Sequence, residues 1–160
     1  MKELIHYIVD SCGHKNNVGK TVLYKILYFS DFDYFELNEK SITNETYKKY
    51  PNGPVPVHFE EFKEELVSEM KINEKVKEVF PGSKHNQFNY SSIKPLKIKY
   101  LHKDELKIVK NVIDKLSDMS ANEISDYSHF DMPWRAATDY DNLKYELVFY
   151  RNEPYSVRDN

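Results

Sequence analysis

Apolar side chains at positions 4, 5, 8, 9 and 12 recur at helical spacing and predict a helix over residues 3–12, ended by Gly13 and Asn16-Asn17. A second helix is predicted from Lys20 or Thr21 to about Phe35. Val22, Leu23, Ile26, Leu27 and Ser30 form one face and Tyr24, Tyr28, Asp31 and Phe35 another, so little of its surface is purely polar and it belongs at the centre of the fold. Asn52-Gly53-Pro54-Val55-Pro56 reads as a loop, since each proline fixes its own φ and Gly53 admits positive φ. Phe59, Phe62, Leu66 and Met70 then define a third helix whose glutamates, 60, 61, 64 and 65, face water. Pro81-Gly82 is a turn. Leu96, Ile98 and Tyr100 alternate with lysines, predicting a half-buried strand that begins at a sheet edge after Pro95.

A fourth helix spans about 103–117, with Leu106, Val109, Ile113 and Leu116 inward. Ser120 and Glu123 have the spacing of a capping box, opening a short helix that should stop near Pro133. Residues 145–150 suit a strand or a short helix, and those from Asn152 look polar and poorly ordered. The pattern predicts a mainly helical α+β domain with a small antiparallel sheet, over residues 1–151, and a polar tail over 152–160.

With 160 residues, the chain is long enough to bury roughly two-thirds of its unfolded surface without a staple. No apolar run is long enough for a transmembrane helix, and residues 1–3 lead into an amphipathic segment with no secretory leader. A single cysteine, Cys12, excludes an internal disulfide and fits a reducing cytoplasm. Lys plus Arg number 23 against 26 Asp plus Glu, a net charge of -3, and only three basic residues are arginine. Both figures disfavour nucleic-acid binding. A local face of Lys94, Lys97, Lys99, Lys103 and Lys107 keeps a nucleic-acid-binding or transcriptional regulator as the alternative reading. The 13 tyrosines suit either a core edge or a wet interface.

Catalytic chemistry finds no constellation. Gly13 to Thr21 resembles a phosphate loop, but five residues separate its glycines where four are needed, and a helical segment precedes it. The six histidines include no His-x-x-x-His pair, and the nearest metal-like group, Asp126, His129 and Asp131, reads better as a helix-end hydrogen-bonding cluster. Cys12 falls on an apolar face, where an inert thiol is expected. Asp31 and Asp33 point to different helix faces and form no shared-proton pair; Asp31 belongs instead to a polar cluster with Tyr24 and Tyr28. No enzyme activity and no cofactor is implied.

Four motifs in order carry a resemblance. Lys25-Ile26-Leu27-Tyr28-Phe29-Ser30-Asp31 is similar to a K-L-L-Y-F-A-D helix, followed by Ile42 to Tyr47, by Gly53-Pro54-Val55-Pro56, and by Leu116 to His129 with Pro133-Trp134. Together, over about residues 4–150, they resemble the Panacea-domain family, which includes SocA-like antitoxins. The resemblance implies an antitoxin of a prokaryotic or phage toxin–antitoxin pair, a module that neutralises a cognate protein toxin by direct binding and can deliver it to an ATP-dependent protease. It implies partner-binding roles for Lys25, Tyr28, Asp31, Tyr47, Gly53, Pro54, Val55, His129 and Trp134, with no catalytic residue and no metal. Ser30 replaces a usual Ala, and residues 71–100 match no family motif, so partner-specific contacts are expected to differ there.

Overall fold

The computed structural model describes residues 1–158. Helix α1 (Lys2–Cys12) packs by Leu4, Ile5, Ile8, Val9 and Cys12. The glycine-bracketed loop that follows staples the chain to a distant turn: Asn17 Nδ2 donates to the carbonyls of Ser117 and Met119, both at 2.8 Å. Helix α2 (Lys20–Asn38) outruns its predicted end by three residues and ends on Glu39 in the left-handed region. It is central, as its pattern requires, and it buries Lys25, Asp31, Asp33 and Glu36 as well as its apolar side chains.

The proline-rich stretch read as a loop is a strand. Tyr47–Tyr50 (β1) pairs antiparallel with Gly53–Pro56 (β2), with Tyr47 opposite Pro56 and Tyr50 opposite Gly53. β1 is bonded on both sides: Lys49 N–H donates to the Asp141 carbonyl, and the Tyr140 and Leu143 amides donate back to Lys49 and Tyr47. β2 is therefore the free edge, the one place in a sheet where two prolines lacking N–H groups cost no ladder bonds. Helix α3 (Phe59–Ser68) follows with Phe59, Phe62 and Leu66 inward, but it ends before Met70, which is exposed rather than part of the apolar face.

A second hairpin, absent from the sequence reading, joins β3 (Ile72–Glu78) to β4 (Asn86–Ser92) around the Pro81-Gly82 turn. The predicted strand at 96–100 does not form. That segment is an irregular strap whose register is fixed by Glu3: its carboxylate accepts from the backbone N–H groups of Lys99, Tyr100 and Leu101, at 2.6–2.9 Å.

Helix α4 (Lys103–Leu116) buries Val109, Val112, Ile113 and Leu116, each contributing about 1.5–3 kcal/mol. The capping box opens α5 (Ala121–His129) as expected, the Ser120 hydroxyl accepting from the Glu123 amide while Glu123 accepts from the Ser120 amide. Pro133 begins a helix rather than ending one: it lies in the first turn of α6 (Met132–Ala136), where the missing N–H is harmless. Tyr145–Tyr150 is a 3-10 helix. The stretch after Asn152, expected to be poorly ordered, is tied down, because the Tyr155 hydroxyl donates to the Tyr127 carbonyl and Ser156 to Glu36. The last two residues of the predicted tail, 159 and 160, lie outside the described residues.

The whole is α+β, with two two-stranded antiparallel sheets beside the helices. No described helix is long and apolar enough to cross a membrane.

Candidate interaction site

The segments that carry the four motifs meet beneath one face of the molecule, and α2 is where they meet. Asp31 is fully buried and accepts from the Thr43 amide at 2.9 Å and from the Thr43 and Tyr47 hydroxyls at 2.5 and 2.7 Å. The second motif thus folds back onto the first. Lys25, also buried, donates from Nζ to the Pro54 carbonyl at 3.3 Å, which ties in the third. Tyr28 donates to Asp131 at 2.7 Å, which ties in the last. The polar cluster expected around Asp31 exists with different members: Tyr24 reaches Glu60 and Tyr28 reaches Asp131, since the three side chains are spread over about two turns along one face and each meets a different neighbour.

Burial sets the electrostatics. It pushes the Asp31 carboxyl up to about 6, against the hydrogen bonds that favour its charged form. Desolvation alone pulls the Lys25 amine down to about 7, because no carboxylate pairs with it. Between that value and the ordinary lysine pKa the unfolded chain holds a proton that the folded chain does not, so this group makes stability rise with pH from about 7 to about 10. Lys25→Met is expected to flatten that rise, by up to about 1.4 kcal/mol per pH unit, when urea melts of the two proteins are compared from pH 7 to 9. Parallel slopes would mean the amine keeps its charge.

Arg151 was not anticipated, yet it organises the deepest charges. Its guanidinium grips Asp131 through Nε and Nη2 at 2.8 and 2.6 Å, while Nη1 donates to Asp33 at 2.8 Å and to Glu36 at 3.0 Å. Burial opposes its charge, but Asp131 and Asp33 outweigh that and hold it protonated. Burial also pushes Asp33 up to about 6, with Arg151 opposing. These commitments dissolve the metal-like trio: Asp131 belongs to Arg151 and Tyr28, and Asp126 is exposed. Among the described residues no group of three or more His, Cys, Asp or Glu is arranged to hold a metal ion. Cys12 is buried, its thiol pushed up to about 11 by desolvation.

The nine residues therefore divide. Lys25, Tyr28, Asp31, Tyr47, Gly53 and Pro54 are buried and form a frame; Val55, His129 and Trp134 are partly exposed above it. Trp134 is partly buried and packs against the edge of the core. Its indole stacks on His129 at 4.3 Å between centroids, its Nε1 donates to the Tyr50 carbonyl at 3.3 Å, and Lys49 Nζ sits 4.1 Å above its ring. Tyr50 in turn meets Tyr140 edge-on at 5.3 Å. Exposed Tyr50 and Tyr140, with Phe130 next to His129 in the chain, extend an aromatic surface beside the first hairpin. Such surfaces are enriched at protein interfaces because they offer large rigid area at little entropic cost. The buried His129 Nε2 has no hydrogen-bond partner.

The family model described as the antitoxin SocA-like Panacea domain matches residues 23–135, which include all nine of these positions. Comparison with curated proteins and with solved structures finds no match.

Proposed function

The chain belongs to the SocA-like antitoxin family of Panacea domains, and on that premise we propose that it neutralises one cognate protein toxin by binding it directly. The match over residues 23–135 is the observation that carries this reading. The aromatic surface at Trp134, His129 and Tyr50 is the binding face, and the buried frame beneath it keeps that face in one shape. A preorganised face avoids the ordering cost that weakens flexible binders. The role is recognition, with no bond made or broken in the chain itself. Handing the toxin to an ATP-dependent protease is the second consequence of the same binding, and a shortened toxin half-life in cells making both proteins would reveal it.

The test is co-expression with the protein encoded by the neighbouring reading frame. Wild type is expected to rescue growth and to co-purify with it. Trp134→Ala is expected to weaken binding at least tenfold, as central aromatic anchors do when they cost more than about 1.4 kcal/mol. Because Trp134 also bonds to Tyr50, Phe130→Ala, at a side chain 65% exposed, is measured beside it and should weaken binding while leaving the melting temperature unchanged. Wild-type affinity in both variants would move the binding face elsewhere, and failure of the wild type to rescue would remove the antitoxin reading.

A further inference from the structure

A groove of about 1090 Å³ opens between α1, α3 and the strap over 93–102. Leu4, Phe62 and Leu66 give it an apolar floor, and Lys94, Lys97 and Lys99 stand along its rim. From 93 to 103 the sequence carries four lysines and no carboxylate, in a chain whose net charge is -3.

The acids that line the groove keep their charge but form no ion pair with this rim among the described residues. Glu3 is taken up by three backbone N–H groups of the strap, and Glu105 accepts from the His102 amide as a helix cap. Lys2 is paired with Glu65 and Glu69, and Lys71 with Glu69. Lys94 reaches only the Glu69 carbonyl. Lys97 and Lys99 have no ion-pair partner among the described residues. The strap also leaves Ile93, Ile98 and Tyr100 in solvent, Tyr100 at 79%. A row of unpaired cations interleaved with exposed apolar groups, over an apolar trough, is a surface awaiting an occupant of opposite charge.

We propose that this groove receives an acidic segment of the toxin, with carboxylates on Lys97 and Lys99 and apolar side chains on the floor. The inference rests on the toxin-binding reading and adds a second anchor to it. Nucleic acid would use the lysines but not the trough, whose apolar walls offer a phosphate backbone nothing. The use of Lys rather than Arg, and the chain's overall negative charge, point the same way.

The experiment compares wild type with Lys97→Glu/Lys99→Glu, using the purified toxin from the neighbouring reading frame as the probe. Neither lysine has an ion-pair partner to lose among the described residues, so the melting temperature should hold. The double variant is expected to bind at least tenfold more weakly at low ionic strength and to lose most of the wild type's weakening with salt. Lys75→Glu/Lys77→Glu, a charge reversal of the same size on the exposed end of β3, is expected to bind like wild type. Equal affinity in wild type and Lys97→Glu/Lys99→Glu overturns the groove while leaving toxin binding intact, whereas absence of binding by wild type removes both. A labelled DNA duplex titrated at low salt supplies the remaining arm. Binding of that duplex by wild type alone, with toxin binding unchanged in the variant, overturns the proposal in favour of nucleic acid.

Discussion

Arg151→Ala is expected to cost about 3–5 kcal/mol of folding stability, because it leaves Asp33, Glu36 and Asp131 buried around an empty centre. In urea denaturation at pH 8 the midpoint should fall sharply, and the melting temperature should drop by on the order of 10 °C. Lysine should not restore it, since a single ammonium cannot reproduce the two-pronged grip on Asp131 and still reach Asp33 and Glu36. The pH dependence separates this explanation from simple loss of packing. Asp33 already binds its proton near 6 in the intact network, above its unfolded value, and without the guanidinium that preference grows. A carboxyl whose folded pKa is raised binds more protons when folded, so acid favours the native state. The deficit of the variant should therefore shrink at pH 5 relative to pH 8. A loss below about 1 kcal/mol, or a deficit independent of pH, would mean the carboxylates find other partners.

Gly53→Ala should be nearly as damaging, at about 2–6 kcal/mol. Gly53 has φ of 100°, a conformation that costs an L residue roughly 1–3 kcal/mol. A β-carbon there would also lie 2.3 Å from Ser128 Oγ and 2.7 Å from Lys25 Cε, overpacking worth about 1–3 kcal/mol more. The space that glycine leaves is where the Lys25 amine passes to reach the Pro54 carbonyl. Gly82 is the internal control: its φ of 80° is as demanding, but nothing lies within 4 Å. Gly82→Ala should show the backbone cost alone. If the two substitutions prove equally mild in chemical denaturation, Ser128 and Lys25 have room to yield.

How far the sequence could be read depended on the distance over which each signal acts. The first four helices declare themselves through apolar spacing within one segment, and the Ser120–Glu123 cap acts within one turn. The first hairpin hid behind Pro54 and Pro56, which deny a strand only in the interior of a sheet, and nothing local announces that β2 is an edge. The alternation of Leu96, Ile98 and Tyr100 looked like a strand because a strap and a strand share that pattern; only Glu3, 96 residues upstream, takes the backbone donors a neighbouring strand would need. In β3 and β4, Lys75, Lys77, Gln87 and Asn89 dilute the apolar positions below recognition.

The candidate site follows the same rule. The motifs are legible in the chain, but not which of their residues the fold buries and which it leaves near the surface, since burial is a property of the assembled fold. Trp134 does both: it packs against the core while its indole lies between His129 and Lys49 near the surface. Arg151 escaped notice altogether, because Asp33 and Glu36 lie 118 and 115 residues away and no pattern in the chain connects them.

That separation governs how the protein can be made. A ribosome emits Asp33 and Glu36 long before it reaches the codon for their cation, and in the meantime any collapse of α2 into the interior confines acids with no guanidinium to answer them. The nascent polypeptide is therefore expected to gain its full stability only once Arg151 is in place. A chain cut short of Arg151 carries the same handicap permanently and is expected to unfold at lower urea than the full chain.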